Sequence, residues 1–379
     1  VRALWLVRPN LDEFPGGDTT QILSTKRSLE ACGVEIDMRP VHRIPDARDA
    51  QRYDLVHLFH LDRLWENLPA AEAALRTGLP VLLSTIYWPT EEFDREGRAG
   101  LNGWFAKRLG HARFQSVRLM ERWAISRIGD RQPLRWHPLA ARYEAGIRRL
   151  LELASVCLPN SEAEAHAIRQ RFGLDAVMRI VPNAIESCAF ALDPGQNNQP
   201  RTGILAAGRL EPRKNQLALV RAVSDIYGEA LPLRIVGSPG RFSRRYAARC
   251  RAEAGPSVEF IAHQRPPALA GLYRSAAVHA CVSWYETPGL ASLEAGACGC
   301  RLVVTEGGCT REYLGEDACY ADAGDPASIR RSLECALEQA SRLGPAEALA
   351  SKIASRYTWA NAASATLDAY DLALAEHRP

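Results

Sequence analysis

The chain has 379 residues, 47% hydrophobic and 24% charged, with a formal net charge of +3. At roughly 100–200 residues per domain, that length predicts two domains or one large one, and the composition excludes disordered and low-complexity architectures. No apolar run reaches the ~18 residues of a membrane-spanning helix, and so small a net charge argues neither for nor against nucleic acid.

Residues 3–7 form an apolar run ending at Arg8. It is too short for a signal peptide and reads as a strand. A loop and then a helix over 20–31 follow, ended by Cys32-Gly33. Residues 34–38, 55–59 and 81–85 read as strands, with a helix over 68–76 between the last two. Residues 155–159 are a further strand, and Ser161 with Glu164 reads as a capping box opening the next helix. A last strand is expected over 179–181. Residues 187–202 turn polar and turn-rich, as a linker does.

The alternation then restarts. Strands are expected over 204–207, 233–236, 258–262, 278–282 and 301–305, with helices over 216–226, 267–275, 291–297 and 326–339. Two successive series of strands alternating with helices predict two doubly wound parallel sheets facing each other across a cleft. Ligands then sit beyond the carboxyl ends of the strands. The ten cysteines are scattered without a CxxC pair, which predicts buried, reduced thiols in a cytoplasmic protein.

Two segments carry chemistry. Gly208-Arg209-Leu210-Glu211-Pro212-Arg213-Lys214 lies between a strand and a helix. Cations on such a loop suit a diphosphate, Arg as a planar fork and Lys as a point charge; the plainer reading is a solvated basic turn. The second segment runs from Tyr285 and Glu286 through Pro288, Gly289 and Leu290 to Glu294. A helix amino terminus binds anions through free N–H groups, and Pro288 lacks one, so Gly289 and Leu290 are the donors. A carboxylate beside a phosphate site binds hydroxyls, as in ribose recognition. The alternative is that Glu294 only complements the helix dipole.

Together these segments resemble the donor site of retaining family-4 glycosyltransferases of GT-B fold, the glycosyl transferases group 1. Gly16-Gly17, Leu158-Pro159-Asn160-Ser161, Val181-Pro182-Asn183, Thr305-Glu306-Gly307-Gly308 with Glu312, and Tyr357-Thr358-Trp359 resemble further landmarks of that family. The likeness is strong over the second half and weak over the first. It implies α/β architecture: a Rossmann-like acceptor domain over 1–186, a linker over 187–202, a Rossmann-like donor domain over 203–355, and a helix over 356–379 returning to the first domain.

The resemblance implies that Arg209 and Lys214 hold the donor diphosphate and stabilise it as leaving group. Glu286, with N–H groups near Gly289 and Leu290, positions the sugar, and Glu294 binds the ribose. Gly16 and Gly17 allow close approach to the phosphates, and His263 sits where the family holds the base, unless it is a plain surface histidine. Charge on a departing diphosphate is neutralised by a metal in some designs and by cationic side chains in others. No Asp-x-Asp occurs while the Arg/Lys pair does, so no metal and no cofactor are expected, the nucleoside diphosphate sugar being the substrate. Retention of configuration is implied by the family alone.

Many members carry a histidine after the fourth strand of the first domain; here that stretch reads Leu83-Ser84-Thr85-Ile86-Tyr87-Trp88. Thr85 and Tyr87 are candidates for contacting sugar or acceptor, and His57 and His60 for lining the cleft. All four are equally readable as packing residues. Residues 107–149 hold eleven Lys/Arg against three acids, with Trp104, Phe105, Phe114, Trp123 and Trp136 adjacent or interleaved. That suits the inner face of an anionic membrane, where lipid-linked acceptors are found, or an acidic glycan. An exposed helical face with inward aromatics is the alternative, and nucleic acid is disfavoured for want of a recognised module.

Three functions compete. The first is sugar transfer from a UDP- or GDP-sugar to a glycan or lipid-linked acceptor, in polysaccharide or glycolipid assembly. The second is a GT-B-fold sugar-nucleotide epimerase, and the third a non-catalytic nucleotide-sugar-binding module.

Overall fold

The computed structural model describes residues 1–13, 16–98, 100–129, 138–193, 200–227, 230–240 and 242–377. Residues 194–199 of the expected linker, and Asp130, Arg131, Arg135 and Trp136 of the basic stretch, lie outside them. The chain forms two compact units, one of residues 1–89, 104–183 and 359–379, the other of residues 90–103 and 184–358. Among the described residues no helix is long and apolar enough to cross a membrane.

The first unit is built on a five-stranded parallel sheet: β1 (Arg2–Val7), β2 (Glu35–Pro40), β3 (Leu55–Phe59), β4 (Val81–Ser84) and β5 (Val156–Leu158), in the order β2-β1-β3-β4-β5. The inner strands β3 and β4 are buried along their whole length and nearly all apolar because helices cover both faces, whereas edge strand β2 stays half-buried. The Trp359–Glu376 helix packs on this unit, where Tyr370 Oη accepts a hydrogen bond from Trp5 Nε1 at 2.9 Å. The Glu162–Phe172 helix starts at Ser161, whose hydroxyl accepts from Glu164 N, and stops at Gly173, in the left-handed region at φ +61°.

The second unit has a six-stranded parallel sheet: β6 (Ile204–Ala207), β7 (Leu233–Val236), β8 (Val258–Ile261), β9 (Val278–Cys281), β10 (Arg301–Thr305) and β11 (Cys319–Ala321), in the order β11-β10-β9-β6-β7-β8. The chain winds from β6 out to β8 and returns on the other side of β6 at β9. The carboxyl ends of β6 and β9 therefore flank the switch point, where doubly wound sheets bind ligands. Residues 90–103, read from sequence as part of the first domain, group instead with this unit: Phe93 packs on Trp284 with ring centroids 6.3 Å apart. Residues 179–181 form no strand; Met178 makes only an isolated bridge to Cys157.

Candidate active site

The loops leaving β6 and β9 meet at the switch point. Lys214 Nζ donates to Glu286 Oε1 at 2.6 Å. Arg213, one residue earlier, lies half-buried between the two loops. Its Nη1 donates to Tyr285 O at 3.0 Å and lies 3.7 Å from Glu286 Oε1, and its Nη2 lies 3.2 Å from Glu211 Oε1. Trp284 N donates back to Arg213 O. Burial alone raises the Glu286 carboxyl, but the Lys214 and Arg213 charges more than offset this and hold it at about 2. A carboxylate buried between two cations is a fixed anion at neutral pH, not a proton carrier.

Backbone geometry shapes the same place. Gly208 has φ +145°, and a Cβ there would lie 3.6 Å from Lys214 Cε. Gln216 Nε2 donates to Arg209 O at 2.8 Å, and Asn215, left-handed at φ +56°, donates to Ala323 O at 3.0 Å. Arg209 itself is about half exposed (side chain 48%), its nearest acid being Glu211 at 4.0 Å. Gly289, left-handed at φ +86°, caps the Leu290–Ala297 helix, so the first-turn N–H groups follow directly on Glu286.

Glu294 lies one turn into that helix, beside Tyr273. Burial raises its carboxyl to about 8 while the Tyr273 phenol pulls the other way. The unfolded chain would titrate near the ordinary 4.5, so between those two values the folded state holds a proton that the unfolded state releases. Its contribution to stability is therefore lost as pH rises through that window. Glu294→Gln removes the loss. Without ligand, its melting temperature is expected to gain on the wild type steadily from pH 5 to about pH 8; a gap that does not change with pH would contradict this.

His263 is exposed, two residues beyond edge strand β8. In the first unit, Gly16 caps the Gly17–Ala31 helix at the carboxyl end of β1, its N–H donating to Thr19 Oγ1 at 3.1 Å. Three of the four acceptor-side candidates need correction. His57 is buried in β3, bonded to Tyr370 Oη and Ser84 Oγ at 2.9 Å each and stacked on Phe59. Burial lowers its imidazole to about 3. Thr85 is buried, and its hydroxyl donates to Glu164 Oε1. Tyr87 is buried against Phe172, and its N–H donates to the same Glu164 oxygen at 2.8 Å. All three are buried within the first unit.

His60 differs. It sits just past β3, left-handed at φ +73°, with Nε2 3.2 Å from Asp18 Oδ2. Asp18 also accepts from Arg8 Nε at 2.7 Å. Burial opposes ionisation of Asp18, but His60 and Arg8 bring its carboxyl well below the usual range. Sequence reasoning missed Arg8, Asp18 and Gln216, and gave Arg213 and Asn215 no role of their own. Asp18 directly after Gly16-Gly17 was the available signal for one of them. Among the described residues no cluster of three His, Cys, Asp or Glu side chains is arranged to hold a metal ion.

Residues 201–339 match the family model described as Glycosyl transferases group 1. The chain is 28% identical over 255 residues to the D-inositol 3-phosphate glycosyltransferase of Kineococcus radiotolerans, covering 59% of each protein. It is 25% identical over 413 residues to that of Salinispora tropica, covering 96% of this chain and 82% of the relative. It thus spans about three fifths of the length of the former. Its fold is similar to sucrose-phosphate synthase from Thermosynechococcus elongatus, with TM-score 0.74 and 16% identity over 99% of both chains. Anabaena Alr3699/HepE, solved with UDP and glucose, gives TM-score 0.69 and 15% identity over 97% of this chain and 99% of that one. Over residues 201–339 the chain is thus similar to the glycosyl transferases group 1, and it has the GT-B fold.

Proposed function

We propose that this chain is a retaining, metal-independent glycosyltransferase that moves a sugar from a nucleoside diphosphate sugar to a glycan or lipid-linked acceptor. The observation that carries the reading is the Lys214–Glu286 pair at 2.6 Å on the β6/β9 switch point. The names of the relatives, and the UDP and glucose bound to a structural neighbour, support a nucleotide-sugar donor.

The arrangement suggests how the charges are used. A diphosphate arriving beside Lys214 and Arg209 competes with Glu286 for the ammonium. Arg213, still 3.7 Å from Glu286, keeps that carboxylate ionised when Lys214 turns to the phosphate. Glu286 is then free to accept hydroxyl hydrogen bonds from the sugar, with the Gly289 and Leu290 N–H groups beside it. Glu294 takes the ribose, and the two cations stabilise the diphosphate as it departs. An acceptor bearing a phosphate is a narrower version, favoured by relatives named for D-inositol 3-phosphate.

A thermal-shift panel of UDP, GDP, ADP and their sugars tests the donor. At 100 times its Kd the cognate nucleotide should add about 2.7 kcal/mol of stability. Turnover on an acceptor panel should survive EDTA and give product with the donor's anomeric configuration. Release of an altered nucleotide sugar without acceptor would mean an epimerase, and binding without turnover a binding module. EDTA-abolished activity restored by manganese would refute the metal-independent part.

A further inference from the structure

The helices Gly100–Leu109 and His111–Gly129 carry a surface that the donor chemistry does not use. The second helix turns Phe114 and Leu119 inward. Its opposite stripe, Arg113, Val117, Met120 and Ala124, recurs at helical spacing and is exposed, with Ile125 alongside. On the preceding helix, Trp104 (56% exposed) and Phe105 (46%) stand in solvent, edge to face at 5.0 Å. Five of the ten exposed large hydrophobics among the described residues thus fall within residues 104–125. Scattered singly they would need no explanation, but a cluster marks an interaction site.

Charge identifies the partner. Residues 104–125 hold five cations, Lys107, Arg108, Arg113, Arg118 and Arg122, against one acid, Glu121. Arg118 and Arg122 pair with the surface acids Glu121 and Asp62, while Lys107, Arg108 and Arg113 are exposed on the same two helices, Arg108 over the Trp104 ring. Apolar and aromatic groups interleaved with Lys and Arg match a surface that is itself apolar just beneath an anionic layer. Trp with flanking cations belongs at headgroup depth. We infer that the exposed face of residues 104–125 docks this protein on an anionic lipid bilayer. The acceptor would then be met at the membrane surface.

Because this inference stands apart from the donor reading, it is tested without substrate. The full chain is floated with phosphatidylcholine vesicles, with and without phosphatidylglycerol. Binding is expected only with the anionic lipid, weakened by salt and accompanied by a blue shift in tryptophan emission that Trp104→Phe diminishes. Trp104→Ser with Phe105→Ser, and separately Lys107→Gln with Arg108→Gln and Arg113→Gln, should each lower partitioning by about tenfold or more with an unchanged melting temperature. No binding to either vesicle, or equal binding to both that the charge variant does not alter, would overturn the inference. So would a concentration-dependent dimer, lost in Met120→Ser, in a protein that ignores vesicles; that face would be an interface between copies.

Discussion

Lys214→Ala is expected to lower kcat by about two to three orders of magnitude, an increase in barrier of about 3 kcal/mol for one fixed donor lost from developing charge. The same change should also destabilise the fold, because Glu286 is buried and keeps only Arg213, 3.7 Å away. The two effects separate by pH and by a second substitution. Glu286 is held at about 2 against an ordinary 4.5, so the stability it contributes is present above pH 4.5 and is lost as pH falls toward 2. In Lys214→Ala that acid-side loss should shrink. Lys214→Met combined with Glu286→Gln removes both charges and should restore much of the melting temperature while turnover stays lost. Near-normal kcat in folded Lys214→Ala would rule out Lys214 as a stabiliser of the leaving group. Recovered turnover in the double variant would mean that the single variant failed only through folding.

What the sequence made legible follows from range. β3, β6, β7 and β10 match their expected limits because each is a short, mostly apolar segment between turn residues. The helix containing Glu294 begins one residue before its expected start, at Leu290, because Gly289 lies beside it. The Lys214 and Glu286 loops were readable for the same reason: each is a short, local segment after a strand.

The errors came from partners distant in sequence. Glu164 looked like half of a capping box, and Ser161 does cap the helix. The Glu164 carboxylate, however, reaches Asn160 N, Tyr87 N and the Thr85 hydroxyl. It ties the end of β4 to the end of β5 through the Thr85 hydroxyl and the Tyr87 N–H. His57 reads from sequence as a candidate cleft residue near a strand end, but β3 is central in its sheet. Two hydroxyls, one of them 313 residues away, satisfy its ring. β11 escaped notice because three residues carry no period. Arg213 was visible in its motif, yet its role depends on β6 and β9 being neighbours, which only the strand order reveals.

Gly308→Ala is expected to be strongly damaging to the second unit. Gly308 has φ +105°, and a Cβ on it would stand 2.0 Å from Glu286 O and 2.6 Å from Glu286 N. Those atoms are backbone and cannot swing aside. They are also engaged: Glu286 N donates to Gly307 O at 3.1 Å, and Cys309 N donates to Glu286 O at 2.9 Å. The methyl group must therefore push the Glu286 peptide outward and part its carboxylate from Lys214. Gly78→Ala isolates the conformational part, since Gly78 has φ +78° with nothing within 4 Å of its Cβ position. That control should lose about 1–2 kcal/mol, the usual cost of a left-handed alanine. Gly308→Ala should lose clearly more, and nucleotide-sugar affinity should fall with it, while Gly78→Ala leaves affinity unchanged. Equal melting temperatures and equal donor Kd in the two variants would show that the Glu286 segment yields freely, and the fixed carboxylate on which the sugar-positioning role rests would then have no support.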